Sequence, residues 1–98
     1  MNFEDYVGAR QDYDKAIELV PDYVAVLNNR GNAKSYLKDY AGALQDYDKA
    51  IELAPDYAVT FNNRGLAKRN LEDYAGARQD YDIAFKLNSN LASYHLFL

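Results

Sequence analysis

Three pairs of carboxylates, one histidine and two copies of an asparagine-arginine motif are the residues of this chain with a capacity for chemistry. The carboxylates occur as Asp-Tyr-Asp at residues 12–14, 46–48 and 80–82. A close pair of carboxylates can perform general acid–base work when its environment splits the two pKa values. Here the pair recurs three times at one interval, so an acid–base centre would have to exist in triplicate. Solvated or ion-paired acids are the simpler account. His95 is the single histidine, and a general base needs a partner that sets its pKa; nothing in the surrounding LASYHLFL supplies one. There is no cysteine, no glycine-rich phosphate loop, no metal-ligand spacing and no nucleophile motif. The expectation is a protein that is not an enzyme, with no cofactor and no metal.

The asparagine-arginine motif is Asn-Asn-Arg-Gly, at residues 28–31 and again at residues 62–65, an interval of 34. Residues 21–54 and 55–88 align without a gap, with 21 identities in 34 positions. Residues 3–20 match the second half of the same unit, and residues 91–98 match the beginning of another. The chain is therefore read as a single domain built of a half repeat (1–20), two full repeats (21–54 and 55–88) and a partial first-type helix (89–98).

Each unit has helical periodicity. Tyr40, Ala43, Leu44, Tyr47, Ala50 and Ile51 fall on one stripe of a helix. The segment before it carries a weaker stripe of Leu27, Gly31, Ala33 and Leu37, interrupted by Lys34. Asp5, Asp39 and Asp73 are candidate N-caps for the second helix of each unit. Pro21 and Pro55 end the preceding helices, and Asp22 and Asp56 are placed to cap the next ones. Each unit reads as helix–turn–helix, and no segment shows sustained strand alternation.

A 34-residue helix pair with small residues where the helices cross (Gly31, Ala43, Ala50; Gly65, Ala77, Ala84) and Pro55 closing the unit resembles the tetratricopeptide repeat. The resemblance covers nearly the whole chain. It departs from the common pattern at Arg30 and Arg64, where leucine is usual, and at Lys34 and Lys68, where tyrosine is usual; this Asn-Arg-Gly variant resembles a subfamily abundant in bacteria. The resemblance implies an all-α fold, a right-handed α-solenoid of about six helices, the last of them short. It also sets the middle of each first helix against the middle of the second, which predicts ion pairs between Arg30 and Asp46 and between Arg64 and Asp80. A planar guanidinium suits such a pair because it binds a carboxylate with two parallel bonds. The alternative is that both arginines are exposed and pair loosely.

First helices of such arrays line a concave groove. The resemblance places Asn28, Asn29, Asn32, Tyr36, Asn62, Asn63, Leu66, Arg69 and Asn70 toward it. An amide offers a donor and an acceptor together and so matches a peptide backbone, which makes an extended peptide the expected ligand. The alternative is that the asparagines are solvated or bond to the adjacent helix. Some family members instead grip a C-terminal Glu-Glu-Val-Asp with lysines, an arginine and asparagines. Asn32 and Asn63 match the asparagines of that clamp. Asn28 stands at its first lysine, and Ser93 and Phe97 stand at its last basic pair, which argues against it. Lys34, Lys68 and Arg69 still lend the groove some basic character.

The N-terminal half repeat leaves Phe3, Tyr6, Ala9, Tyr13 and Ile17 on a stripe whose partner helix is missing, and the C-terminal fragment offers Leu91, Tyr94, Leu96 and Phe97. These ends are complementary, which predicts self-association into a homo-oligomer; the alternative is a segment of a longer array. His95 aligns with Leu27 and Phe61, both core positions. The ten tyrosines mostly recur at equivalent positions and read as helix packing. An apolar fraction of 49% with 27% charged residues is that of a folded globular chain. A formal net charge of −4 opposes nucleic-acid or anionic-membrane binding, both of which rest on clustered cations. No apolar run approaches the roughly 18–20 residues that span a bilayer, and the N-terminus lacks a secretory pattern, so the expected location is the cytoplasm. The sequence thus predicts a scaffold that binds a protein or peptide in its groove, with self-assembly through the ends as the alternative.

Overall fold

The computed structural model describes residues 2–96, with side chains over residues 2–88. Five helices follow one another: α1 (Phe3–Leu19), α2 (Val24–Tyr36), α3 (Tyr40–Leu53), α4 (Ala58–Asn70) and α5 (Tyr74–Leu96). The described residues contain no strand, and no helix among them is long and apolar enough to cross a membrane. The sequence reading of about six helices is therefore corrected to five. Residues 89–96 do not turn back as a separate first-type helix; they prolong α5, which reaches 23 residues. The cause is local. Ser89 stands where Pro21 and Pro55 stand in the other units, and only proline lacks the N–H and clashes with the carbonyl four residues back. The side chains of Leu91, Tyr94, Leu96 and Phe97, and of Ser93 and His95, lie outside the described residues.

The turns between helices explain the other boundaries. α2 and α4 end on left-handed residues that are not glycine, Lys38 and Glu72, each with φ 65°. The Lys38 N–H donates to the Ser35 carbonyl at 3.0 Å and the Asp39 N–H to the Lys34 carbonyl at 2.8 Å; Glu72 and Asp73 repeat both bonds at 2.9 Å. This is the paired-bond helix end that satisfies the last free carbonyls. Asp39 then caps α3, its Oδ1 accepting from the Gly42 N–H at 3.0 Å, and Asp73 does the same for Gly76 at 3.0 Å. Asp5 does not take this role. α1 starts earlier than the repeat pattern suggests because Asn2 is available as a cap: its Oδ1 accepts from the Asp5 N–H at 2.9 Å, and Asp5 accepts from the Asn2 N–H at 3.1 Å. Asp22 and Asp56 do not cap α2 and α4. Those helices begin after Tyr23 and Tyr57, with no side-chain cap bond. The Tyr23 and Tyr57 N–H groups reach back to Val20 and Ala54 at 3.2 and 3.3 Å, so each Pro-Asp forms the middle of a β-turn.

Each helix packs on the next in the chain, and α2 also meets α4. The outline measures 44 × 29 × 24 Å and the radius of gyration is 14.3 Å, above the roughly 13 Å of a compact domain this long; this is the shape of a short solenoid. The contact surfaces are small-residue surfaces. Ala43 and Ala50 are fully buried, and Tyr47, Ala67, Ala77 and Leu27 nearly so. A Cβ added to Gly31 would lie 2.5 Å from Cε1 of Tyr47, and one added to Gly65 would lie 2.7 Å from Cε1 of Tyr81. Glycine at these two helix positions costs about 1 kcal/mol of helix propensity relative to alanine. The tyrosine ring laid flat against the backbone offsets that loss.

Candidate functional site

Two networks frame the site: an ionic one that ties α2 and α4 to the helices before and after them, and one of amides where α2 and α4 meet. Arg30 donates from Nε to Asp46 Oδ2 at 2.9 Å and from Nη2 to Asp46 Oδ1 at 2.6 Å. Arg64 does the same with Asp80 at 2.9 and 2.7 Å. Each guanidinium also uses its remaining nitrogen. Arg30 Nη1 reaches Asp14 on α1 at 2.9 Å, and Arg64 Nη1 reaches Asp48 on α3 at 3.0 Å. One arginine thus ties three consecutive helices together. The two acids of Asp-Tyr-Asp divide the work: the first binds the arginine of its own unit, the second the arginine of the next. The sequence reading missed this second arm, although its signal is present, since each arginine lies 16 residues after one aspartate and 16 before the other. These bonds raise the pKa of both guanidinium groups above the ordinary arginine value, against the opposing effect of burial.

Lys34 and Lys68 belong to this network and not to the groove. Lys34 Nζ lies 3.0 Å from Asp46, with its side chain almost fully buried, and Lys68 Nζ lies 3.1 Å from Asp80. Their basic character is spent inside the hairpins. Arg69 is exposed and lines none of the clefts described below.

The amides and rings divide among three clefts. The first, about 380 Å³, brings together Asn32, Tyr36, Asn63, Leu66 and Asn70, over a floor that includes Tyr40, Tyr47 and Ala67. The second, about 200 Å³, is lined by Tyr6, Tyr13, Asn29, Asn32 and Tyr36. Asn62 lies apart, in a third cleft of about 420 Å³ between α4 and α5 with Val59, Tyr81 and Phe85. Asn28 lines none of them. It is buried, and its Oδ1 accepts from Asn63 Nδ2 at 3.3 Å. The asparagines expected to line one groove divide in this way for a geometric reason: sequence neighbours on a helix point about 100° apart, and only residues three or four apart share a face. Asn29 and Asn32, or Asn63, Leu66 and Asn70, can face together; Asn28 with Asn29, or Asn62 with Asn63, cannot.

The stripe of α1 expected to lack a partner is partly covered, and no residue of α1 is fully buried. Tyr6, Tyr13 and Ile17 are half-buried because α2 packs on them, and Tyr6 stacks on Tyr36 with ring centroids 4.3 Å apart and planes 13° from parallel. Phe3 remains exposed.

Hydrogen-bond capacity in the first cleft is partly used. Tyr47 donates its hydroxyl to Asn32 Oδ1 at 2.6 Å, Asn63 donates to Asn28, and Asn70 Nδ2 donates to the Leu66 carbonyl at 2.9 Å. This leaves both N–H groups of the Asn32 amide, one N–H each on Asn63 and Asn70, and the Asn63 and Asn70 carbonyl oxygens. Burial raises the Tyr47 pKa and keeps its proton on the ring. Tyr81, one unit later, has Leu66 where Tyr47 has Asn32, and its buried hydroxyl has no hydrogen-bond partner. Among the described residues, no three acids or histidines are grouped so as to hold a metal ion.

Residues 24–57 match the family model of the tetratricopeptide repeat. Comparison with curated proteins gives no match. Solved structures are similar over nearly the whole chain. The first tetratricopeptide domain of Spaghetti (RPAP3), bound to the HSP90 peptide SRMEEVD, is 29% identical with a TM-score of 0.85, over 89% of this chain and 69% of that one. The first such domain of human RPAP3 is 29% identical with a TM-score of 0.83, over 87% and 67%. The TPR2B domain of yeast Sti1, in complex with an Hsp70 peptide, reaches 0.85 over 92% and 72% at 24% identity, which speaks for the fold alone.

Proposed function

We propose that this tetratricopeptide-like solenoid is a non-enzymatic interaction scaffold that takes an extended segment of a protein partner into the first cleft. The observation that carries this reading is the cleft itself. Its volume lies within the range of ligand sites, its floor is aromatic and apolar, and its rim offers free amide N–H groups on Asn32, Asn63 and Asn70 and two free carbonyl acceptors. That set can meet the C=O and N–H groups of a peptide without demanding a particular side chain. Similar domains of Spaghetti (RPAP3) hold an HSP90 peptide, which supports peptide capture as the class of activity. The test is a peptide-display selection on the folded chain, followed by fluorescence anisotropy of the selected peptide with wild type and with Asn70→Ala plus Asn32→Ala. Binding should weaken on the order of tenfold for the double variant. Unchanged binding would place the ligand elsewhere.

Self-assembly through the solenoid edges is the second reading. The exposure of Phe3, Leu19 and Phe85 favours it, as does the third cleft along α5. Light scattering across a hundredfold range of concentration separates the two: a growing mass supports assembly, and a constant 11.2 kDa removes it.

A further inference from the structure

The first and second clefts are the same cleft, one unit apart. Adding 34 to Tyr6, Tyr13, Asn29, Ala33 and Tyr36 gives Tyr40, Tyr47, Asn63, Ala67 and Asn70, all of which line the first cleft. One exchange matters. In the second cleft the ring of Tyr36 lies flat on Tyr6. In the first, the position of Tyr36 is taken by Asn70, which turns its amide onto the Leu66 carbonyl. Among the described residues no ring covers Tyr40 as Tyr36 covers Tyr6, and the cleft is about twice as large, 380 against 200 Å³.

We infer that the first cleft is a subsite for an aromatic side chain of the partner peptide, which stacks on Tyr40 in the way that Tyr36 stacks on Tyr6. This rests on the peptide-capture reading above and specifies its ligand. The molecule supplies the template, because a nearly identical set of residues one unit earlier holds a tyrosine ring. Charge points the same way. No lysine or arginine lines the first cleft. Lys34 and Lys68 are bound to Asp46 and Asp80, and the chain carries a net −4. An acidic side chain would enter without a counter-ion and against the overall field. An uncharged ring gains an offset-stacked contact and leaves no polar group unpaired.

The experiment uses a short glycine-serine host peptide with a central phenylalanine, alanine or glutamate, and SRMEEVD as an acidic comparator, each labelled and titrated with the whole chain by anisotropy. Phenylalanine should bind on the order of tenfold more tightly than alanine, with glutamate and SRMEEVD weaker than either. The variant Asn70→Tyr should rebuild the internal stack on Tyr40. It should bring the phenylalanine and alanine peptides to near parity while its thermal midpoint stays equal or rises, which separates a filled subsite from a damaged fold. Equal binding of the phenylalanine and glutamate peptides, or an aromatic preference that survives Asn70→Tyr, overturns the inference and leaves peptide capture standing. Absence of binding by every peptide overturns both.

Discussion

Replacing Arg30 by alanine tests the idea that the solenoid is held by its guanidinium ladder. The substitution removes two bonds to Asp46 and one to Asp14. The arms differ in weight. Asp46 is nearly buried, with 4% of its side chain exposed, whereas Asp14 is 51% exposed. Breaking a buried pair costs about 3–5 kcal/mol because a charge is stranded. Here Lys34 stays beside Asp46 at 3.0 Å and keeps the carboxylate partly compensated, so the expected loss is about 2–3 kcal/mol. The Asp14 arm is a surface pair and contributes about 0.5 kcal/mol or less. For a domain of this size the total corresponds to a fall in Tm of roughly 10–20 °C. Urea denaturation followed by far-UV circular dichroism reads the loss, with an unchanged m-value showing that the same surface unfolds. Asp14→Ala is the control and should lose no more than about 0.5 kcal/mol. Arg30→Lys should lie between, since an ammonium cannot reproduce the two parallel bonds. If Arg30→Ala and Asp14→Ala cost the same small amount, the reasoning is wrong and the helices are held by their alanine and tyrosine contacts alone.

Three further outcomes follow from the same structure. Tyr47→Phe strands the Asn32 carbonyl and should cost about 1–2 kcal/mol, whereas Tyr81→Phe removes an unpaired buried hydroxyl and should be neutral or mildly stabilising; the two urea midpoints decide it. Burial holds the Tyr47 pKa above that of the unfolded chain. Its contribution is therefore complete below about pH 10 and is lost as pH climbs through the folded value, at up to ~1.4 kcal/mol per pH unit; Tyr47→Phe should flatten that alkaline decline. Lys38→Gly should stabilise by about 1 kcal/mol by relieving a left-handed backbone, while Gly31→Ala should destabilise by ~1–2 kcal/mol despite its better helix propensity, because its methyl group meets the buried Tyr47 ring.

The repeat made most of the fold legible, and the reason is physical. A 34-residue unit that cannot bury its own stripe must stack on its neighbours, so Ala43, Ala50 and Leu27 could be placed in the core before any coordinates. The helix ends were less legible. Lys38 and Glu72 take the left-handed turn that usually advertises itself by glycine, and the bonds from Asp39 and Asp73 to the preceding carbonyls carry that turn without a glycine signal. The end of α5 is masked by the likeness of residues 91–98 to a repeat start, and only the serine at position 89 in place of proline signals that the helix continues. The amides were the hardest. Periodicity says which residues share a helix face but not which amide spends itself on a neighbour, and only the packed arrangement shows Asn28 closed off by Asn63 and Asn32 tied to Tyr47. The role of Lys34 is hidden for the same reason: its partner Asp46 lies 12 residues away, on the next helix.

The most direct test of the account is to map a bound peptide onto the chain by the amide chemical-shift changes it causes in a nitrogen-labelled sample. Capture in the first cleft predicts that the largest changes fall on Asn32, Tyr36, Asn63, Leu66 and Asn70, with one chain per complex. Changes confined to the third cleft around Val59, Asn62 and Phe85, or chains that associate with one another on addition of peptide, would contradict it.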